Sequence, residues 1–410
     1  MLDQFGLELE YMIVDAETLD VLPVADRVLA AQAGEITGDV ECGAACWSNE
    51  LVLHVIELKT NGPVRTLAGL PELFAEQVRA INAHLAPLGG RLMPSAMHPW
   101  MDPLTQTRLW PHENSPVYEA FNRIFGCQGH GWSNLQSMHI NLPFEGDEEF
   151  GRLHAGIRLI LPILPALAAS SPFVEGRATG LMDNRLSAYR TNCAKIPSLT
   201  GNVIPEPVFQ IAEYKSQVLE RCYRDLAPHD PEGILQDEWV NARGAIARFH
   251  RNTIEIRLID VQESPLADVA VASAVIGVIR ALIGERWCSW ADQCRWETDR
   301  LAAILDETTR AGGDAIIAAR DYAAAFGMSE PCTGREFWAR LVDSTADLRE
   351  RDPAIEAALA QLVRLGPLAG RIARACTEPV TRQNLHRVYT GLCDCLDGNR
   401  LFMGAEAGAR

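Results

Sequence analysis

Lysine is almost missing from this chain. Its 410 residues contain only Lys59, Lys195 and Lys215, and no Gly-x-x-x-x-Gly-Lys-Ser/Thr run occurs. That excludes a P-loop, so any phosphate chemistry falls to arginines and a metal. Basic charge is short in general: the formal net charge is −17, scattered rather than blocked. This argues against a general nucleic-acid binder, because phosphate backbones call for basic surface. Long uninterrupted apolar runs are missing too. The most apolar stretch, Leu159 to Pro172, is broken by Pro162 and Pro165, and Val269 to Ile283 carries Arg280 and suits a buried helix. Neither reads as a membrane span. The start, Met1-Leu-Asp-Gln-Phe-Gly, has no basic region and no apolar segment, so no ordinary signal peptide is read. The eleven cysteines are odd in number and sparse, and the closest pairs, Cys42/Cys46 and Cys393/Cys395, form no double Cys-x-x-Cys framework. Structural zinc is not expected, and reduced thiols in the cytoplasm are the default.

What the chain does have is acid inside apolar strands. Three stretches read as β-strands: Phe5 to Val14, Leu51 to Lys59 and Thr253 to Asp260. Strand side chains alternate, so Glu8 and Glu10 share a face, about 7 Å apart along the chain. A buried carboxylate is costly unless paired or holding a cation. Acids far apart in sequence, each set in an apolar strand, suggest one cation site assembled by a sheet.

Apolar residues make up 48% of the chain, enough for one large domain or two moderate ones. Helices are expected over Ala25–Ala33, Leu67–Leu88, Asn114–Phe125, Glu148–Ala169, Val208–Leu226 and Pro265 to about Trp290, with short strands at Leu92–Met97 and Leu135–Leu142. Ser170–Pro207 shows little periodicity and reads as a long irregular segment. Beyond residue 290 nearly everything reads as helix. Half-polar strand faces favour an antiparallel sheet over a doubly wound one. The expectation is an α+β protein, with a catalytic region over 1–290 and a helical C-terminal region over 291–410 packed on the same domain.

Glu8, Glu10, Glu57, His139 and Glu255 taken together are a hard, oxygen-rich ligand set that suits Mg²⁺ or Mn²⁺ rather than zinc. Arg257, two residues from Glu255, shares its face and is suited to stabilising a transferring phosphoryl group. Each residue also has an ordinary reading. A single strand glutamate is most often solvated, His139 alone suits a structural histidine, and Glu255 with Arg257 suits a surface ion pair.

Taken in order, these segments resemble the glutamate–cysteine ligase type 2, or carboxylate–amine ligase, family. The matching pieces are Gly6-Leu-Glu-Leu-Glu10, Val55-Ile-Glu-Leu-Lys-Thr60, Ala96-Met-His-Pro99, Ser137-Met-His-Ile-Asn141, Ala169 to Gly180, Ser187-Ala-Tyr-Arg190 and Thr253 to Gln262. The resemblance implies a glutamine synthetase-like fold: a curved antiparallel sheet holding Mg²⁺ (or Mn²⁺) and ATP, with helices on its outer face. It implies metal ligation by Glu8, Glu10, Glu57, Glu255 and His139, and catalytic roles for Arg257, Glu57 and Glu255. Arg185, Arg190, His139, Asn141 and His98 would contact ATP or substrate. The implied reaction is ATP-dependent: a carboxylate, of γ-glutamyl type, becomes an acyl phosphate that an amine then attacks. Substrates would be small molecules, with a peptide acceptor and a homodimer left open. Two departures stand out. Family members often carry His-x-His where this chain has His139-Ile-Asn141, and Tyr-Arg-Ser-Gln where it has Tyr189-Arg-Thr-Asn192. Guanidino phosphotransfer on the same type of sheet, and a non-catalytic amino-acid- or nucleotide-binding homologue, are the alternatives.

Overall fold

The computed structural model describes residues 2–376 and 378–404. In chain order its first strands are β1 (Gly6–Asp15), β2 (Asp39–Cys42), β3 (Ala45–Asn49), β4 (Val55–Thr60), β5 (Gly90–Met93) and β6 (Ser137–Pro143). They are followed by β7 (Phe173–Val174), β8 (Arg177–Ala178), β9 (Ala245–Arg248) and β10 (Thr253–Asp260). Eight of these build one antiparallel sheet in the order β2-β3-β4-β1-β6-β10-β9, with β5 alongside the second half of β1. β7 and β8 form a separate small hairpin. The α+β architecture read from the sequence is the one observed.

The two faces of β1 explain the layout. Leu7, Leu9, Tyr11 and Ile13 point into the main core, with Phe74, Val78 and Ile81 of helix Leu70–Leu85 and Val271, Val275 and Val278 of helix Pro265–Ile283. Pro265–Ile283 is apolar all round because it is buried all round. The Ser264 side chain caps its start, Pro265 occupies its first turn, and it ends at Gly284, short of Trp290. Gly146–Ala168 and Pro265–Ile283 are both long and apolar enough to cross a membrane, but 94% and 83% of their most apolar windows are buried within this protein.

The other face of β1 carries Glu8 and Glu10, then Met12 and Val14. The apolar half is roofed by the C-terminal helices Leu368–Ala375 and Arg382–Asp397, through Leu368, Ile372, Leu385, Tyr389 and Leu392. Leu301, Leu305, Phe337, Trp338 and Leu359 meanwhile join the same core as the strands. The last described turn is clasped by a buried ion pair. Arg371 bonds Glu263 and donates to the Phe402 carbonyl at 2.7 Å, while Glu263 accepts the Phe402 amide at 3.1 Å.

Several local expectations shift. The β2–β3 hairpin and β9 were not anticipated, and the fourth strand begins at Val55 rather than Leu51. Leu51 to His54 instead turns inward: Val52 bridges Leu109, and the buried His54 ring bonds the Ser133 carbonyl at 2.8 Å. The helix expected over Glu148–Ala169 is interrupted at Leu161–Ile163, where Pro162 cannot continue the ladder. The irregular segment after Ser170 contains a helix, Asn184–Asn192, whose start is capped by the Asp183 side chain on the Leu186 amide. Its few apolar residues give no helical stripe to read.

Candidate active site

Antiparallel register arranges the polar residues in rows. Glu41, Cys46, Lys59, Glu8 and His139 lie opposite one another across β2, β3, β4, β1 and β6. The next row runs Asp39, Ser48, Glu57, Glu10. Asn141 pairs with Glu255 and Gly6, so it and Glu255 project from the same face. Glu50, just beyond β3, adds a carboxylate. One oxygen from each of Glu10, Glu50 and Glu57 falls within 4.8 Å of the others, and so do ligand atoms of Glu8, Glu57 and His139. Like charges set directly opposite, as Glu10 and Glu57 are, destabilise a sheet.

The surrounding bonds hold these groups in place. Glu8 bonds His139 Nδ1 at 2.8 Å and accepts from Asn141 at 2.9 Å. Glu10 accepts the Ser137 amide at 2.7 Å and its hydroxyl at 3.1 Å. Glu57 accepts from Ser48 Oγ at 2.6 Å and from Lys59 Nζ at 3.0 Å. Glu255 sits between two arginines, Arg248 at 2.8 Å and the Arg257 Nε at 3.0 Å. The Glu50 carboxylate has no hydrogen-bond donor among the described residues.

Proton affinities follow from this crowding. Burial, then the charges of Glu10 and Glu57, push Glu50 well above the usual carboxylate range. Burial and the charge of Glu8 raise Glu57 against the pull of Lys59 and Ser48. Burial also works against ionising Glu8 and Glu255, but His139 overrides it at Glu8, and Arg257, His139 and Arg248 override it at Glu255; both are lowered. Burial disfavours the imidazolium of His139, yet the Glu8 bond and the charges of Glu10, Glu8 and Glu255 raise it to about 9. Carboxylates kept together against their mutual repulsion make a candidate cation site. Hard oxygens with one imidazole fit Mg²⁺ or Mn²⁺.

A pH dependence follows. A histidine whose folded pKa lies above its unfolded value stabilises fully below about pH 6.5 and loses that contribution as pH rises through about 9. Asp183, raised by burial and the charge of Asp260 to about 8, acts with the same sign. Without divalent ions, the melting temperature should fall between pH 6.5 and 9, and His139→Asn should flatten part of that slope. A flat wild-type profile would contradict the assigned contacts of His139.

Glu8, Glu10, Glu57, Glu255, His139, Asn141 and Arg257 thus share one face. The remaining expected contacts go elsewhere. Arg185 is buried, its Nε bonded to Asp260 at 2.5 Å and its Nη atoms 3.4 Å from the Arg257 carbonyl. It braces the irregular stretch of β10 between Ile256 and Ile259 instead of reaching for a ligand. Arg190 pairs with Asp306 and lines a separate cleft with Asn202 and Asp299. The His98 ring is buried, its Nε2 on the Leu19 carbonyl at 2.7 Å and its Nδ1 accepting the Trp100 amide at 3.3 Å, so neither nitrogen is free for ATP or substrate. Glu50, Lys59 and Arg248 were missed as members. Beside the cluster lies a cavity of about 500 Å³, reached by Glu8, Lys59 and Asn141 and walled by Phe5, Pro143 and Arg251.

A family model described as glutamate–cysteine ligase family 2 matches residues 4–384. The chain belongs to glutamate–cysteine ligase family 2. A relative in Archaeoglobus fulgidus, described as an uncharacterized protein, is 35% identical over 280 residues, covering 68% of this chain and 75% of that one. Among solved structures, the glutamate–cysteine ligase of Francisella tularensis in complex with AMP is similar in fold, with a TM-score of 0.60 at 12% identity over 99% of this chain and 91% of that one. Membership of family 2 makes this chain a carboxylate–amine ligase by class.

Proposed function

We propose that the enzyme uses ATP to join a small-molecule carboxylate, of γ-glutamyl type, to an amine through an acyl phosphate. The observation that carries this reading is the convergence of Glu8, Glu10, Glu50, Glu57 and His139 beside Arg257. The two ligand groups, Glu8/Glu57/His139 and Glu10/Glu50/Glu57, fit Mg²⁺ or Mn²⁺. Ions held by these residues would neutralise the charge of the phosphates.

The chain's own residues supply the rest. The neighbouring cavity offers apolar walls at Phe5, Pro63 and Pro143 for a nucleoside, and cations at Lys59 and Arg251 for phosphates. Arg257 presents a planar fork, which Glu255 holds in position, to the γ-phosphoryl oxygens. A carboxylate oxygen of the substrate attacks the γ-phosphorus and ADP leaves. The amine nitrogen then attacks the acyl carbon, the C–O bond to phosphate breaks, and the nitrogen gives up a proton as the amide forms. Positioning and charge neutralisation account for most of the catalysis.

ADP release with Mg²⁺ across a panel of acids, glutamate first, and amines tests this directly. Full-rate release should need both an acid and an amine, with an amide recovered. Failure to bind nucleotide in the presence of Mg²⁺ would sink the proposal. A stable phosphorylated guanidine in place of an amide would favour guanidino phosphotransfer.

A further inference from the structure

A smaller cavity, of about 200 Å³, opens between the N-terminal segment, the loop after β4 and helix Pro265–Ile283. Arg65, Arg280 and Arg349 line it, with Ser273, Glu350 and Phe5. Their partners leave positive charge in surplus. Arg349 is neutralised by Glu356 at 2.9 Å. Among the described residues Arg280 meets only backbone carbonyls, those of Leu348 and Leu2, both at 2.9 Å. Arg65 is exposed and has no hydrogen-bond or ion-pair partner among the described residues. Glu350, the acid on this wall, is occupied by the Thr66 hydroxyl and the Leu67 amide. Two guanidinium groups without carboxylate partners therefore face one carboxylate, in a chain whose net charge is −17.

Ser273 is an independent sign. Its hydroxyl is buried against this cavity and has no hydrogen-bond partner among the described residues. A buried polar group left unsatisfied is costly, and an acceptor in the cavity would satisfy it.

We propose that this cavity binds a small oxyanion, phosphate or carboxylate, apart from the carboxylate cluster. Guanidinium forks match the paired oxygens of either group, and a serine hydroxyl supplies a further donor. The position gives such a ligand leverage. Phe5 lines both cavities, and the segment that Arg280 grips at Leu2 runs directly into β1 and Glu8.

Calorimetric titration of the full chain, free of nucleotide and divalent ions, tests this with inorganic phosphate and, separately, succinate. One saturable site is expected, weakened about tenfold in Arg65→Ala and lost in Arg65→Glu. Ser273→Ala should weaken it less, by about threefold. Arg257→Lys should leave it in place, which separates it from phosphate held at the carboxylate cluster. Binding of phosphate alone assigns the site to phosphate, and binding of both assigns it to oxyanions generally. Isotherms unchanged by either Arg65 substitution, or no binding of either probe, would overturn the assignment.

Discussion

Glu10→Gln should lower turnover by about 100-fold or more while leaving the protein folded. The amide is nearly isosteric and keeps an oxygen for the Ser137 amide and hydroxyl, now at 2.7 and 3.1 Å. What it removes is one negative charge from the Glu10, Glu50 and Glu57 group. Because Glu10 lies directly opposite Glu57, losing that charge relieves repulsion in the ion-free protein. The variant should therefore melt no lower than the wild type without Mg²⁺ and show a smaller rise when Mg²⁺ is added. Thermal melts with and without the ion, beside the turnover assay, separate the two effects. Wild-type turnover together with a full Mg²⁺ shift would mean that Glu10 holds no ion.

Arg257→Lys should also cost about 100-fold in turnover, for a different reason. Charge is preserved, but the fork is not. Glu255 would keep Arg248 at 2.8 Å and lose the two-pronged contact made by the Arg257 Nε and Nη2. A lysine head cannot meet two phosphoryl oxygens and Glu255 at once. Nucleotide affinity should change little while kcat falls, because the fork matters most where charge develops. Steady-state kinetics would show this as a kcat loss with a nearly constant KM for ATP. Unchanged kcat would remove Arg257 from the chemistry.

The legible part of this site was the part written in strands. Glu8, Glu10, Glu57 and Glu255 each interrupt an apolar run at a period of two, and the sheet brings their rows together. Glu50 escaped notice because it lies beyond the end of β3, where no alternation marks a face. Arg248 sits at the end of Ala245–Arg248, a strand too short and too poor in β-branched residues to announce itself. The β2–β3 hairpin was hidden for a related reason: each arm is brief, and its turn depends on Gly43 at φ +69°. Arg185, Arg190 and His98 were less legible: the family resemblance implied ligand contacts, while the partners they meet in this structure, Asp260, Asp306 and the Leu19 carbonyl, come from remote parts of the chain. Periodicity carries no information about such pairings.

The clasp at Phe402 bears on how the polypeptide matures. Glu263 lies two residues before helix Pro265–Ile283, yet its cationic partner Arg371 emerges from the ribosome 108 residues later. Until Arg371 and Phe402 arrive, that carboxylate must either stay hydrated, holding the helix entrance open, or be interred without compensation, at a cost of about 3–5 kcal/mol. Closure of this corner is thus a late event in folding: Glu263 is compensated only once Arg371 and Phe402 have docked against it.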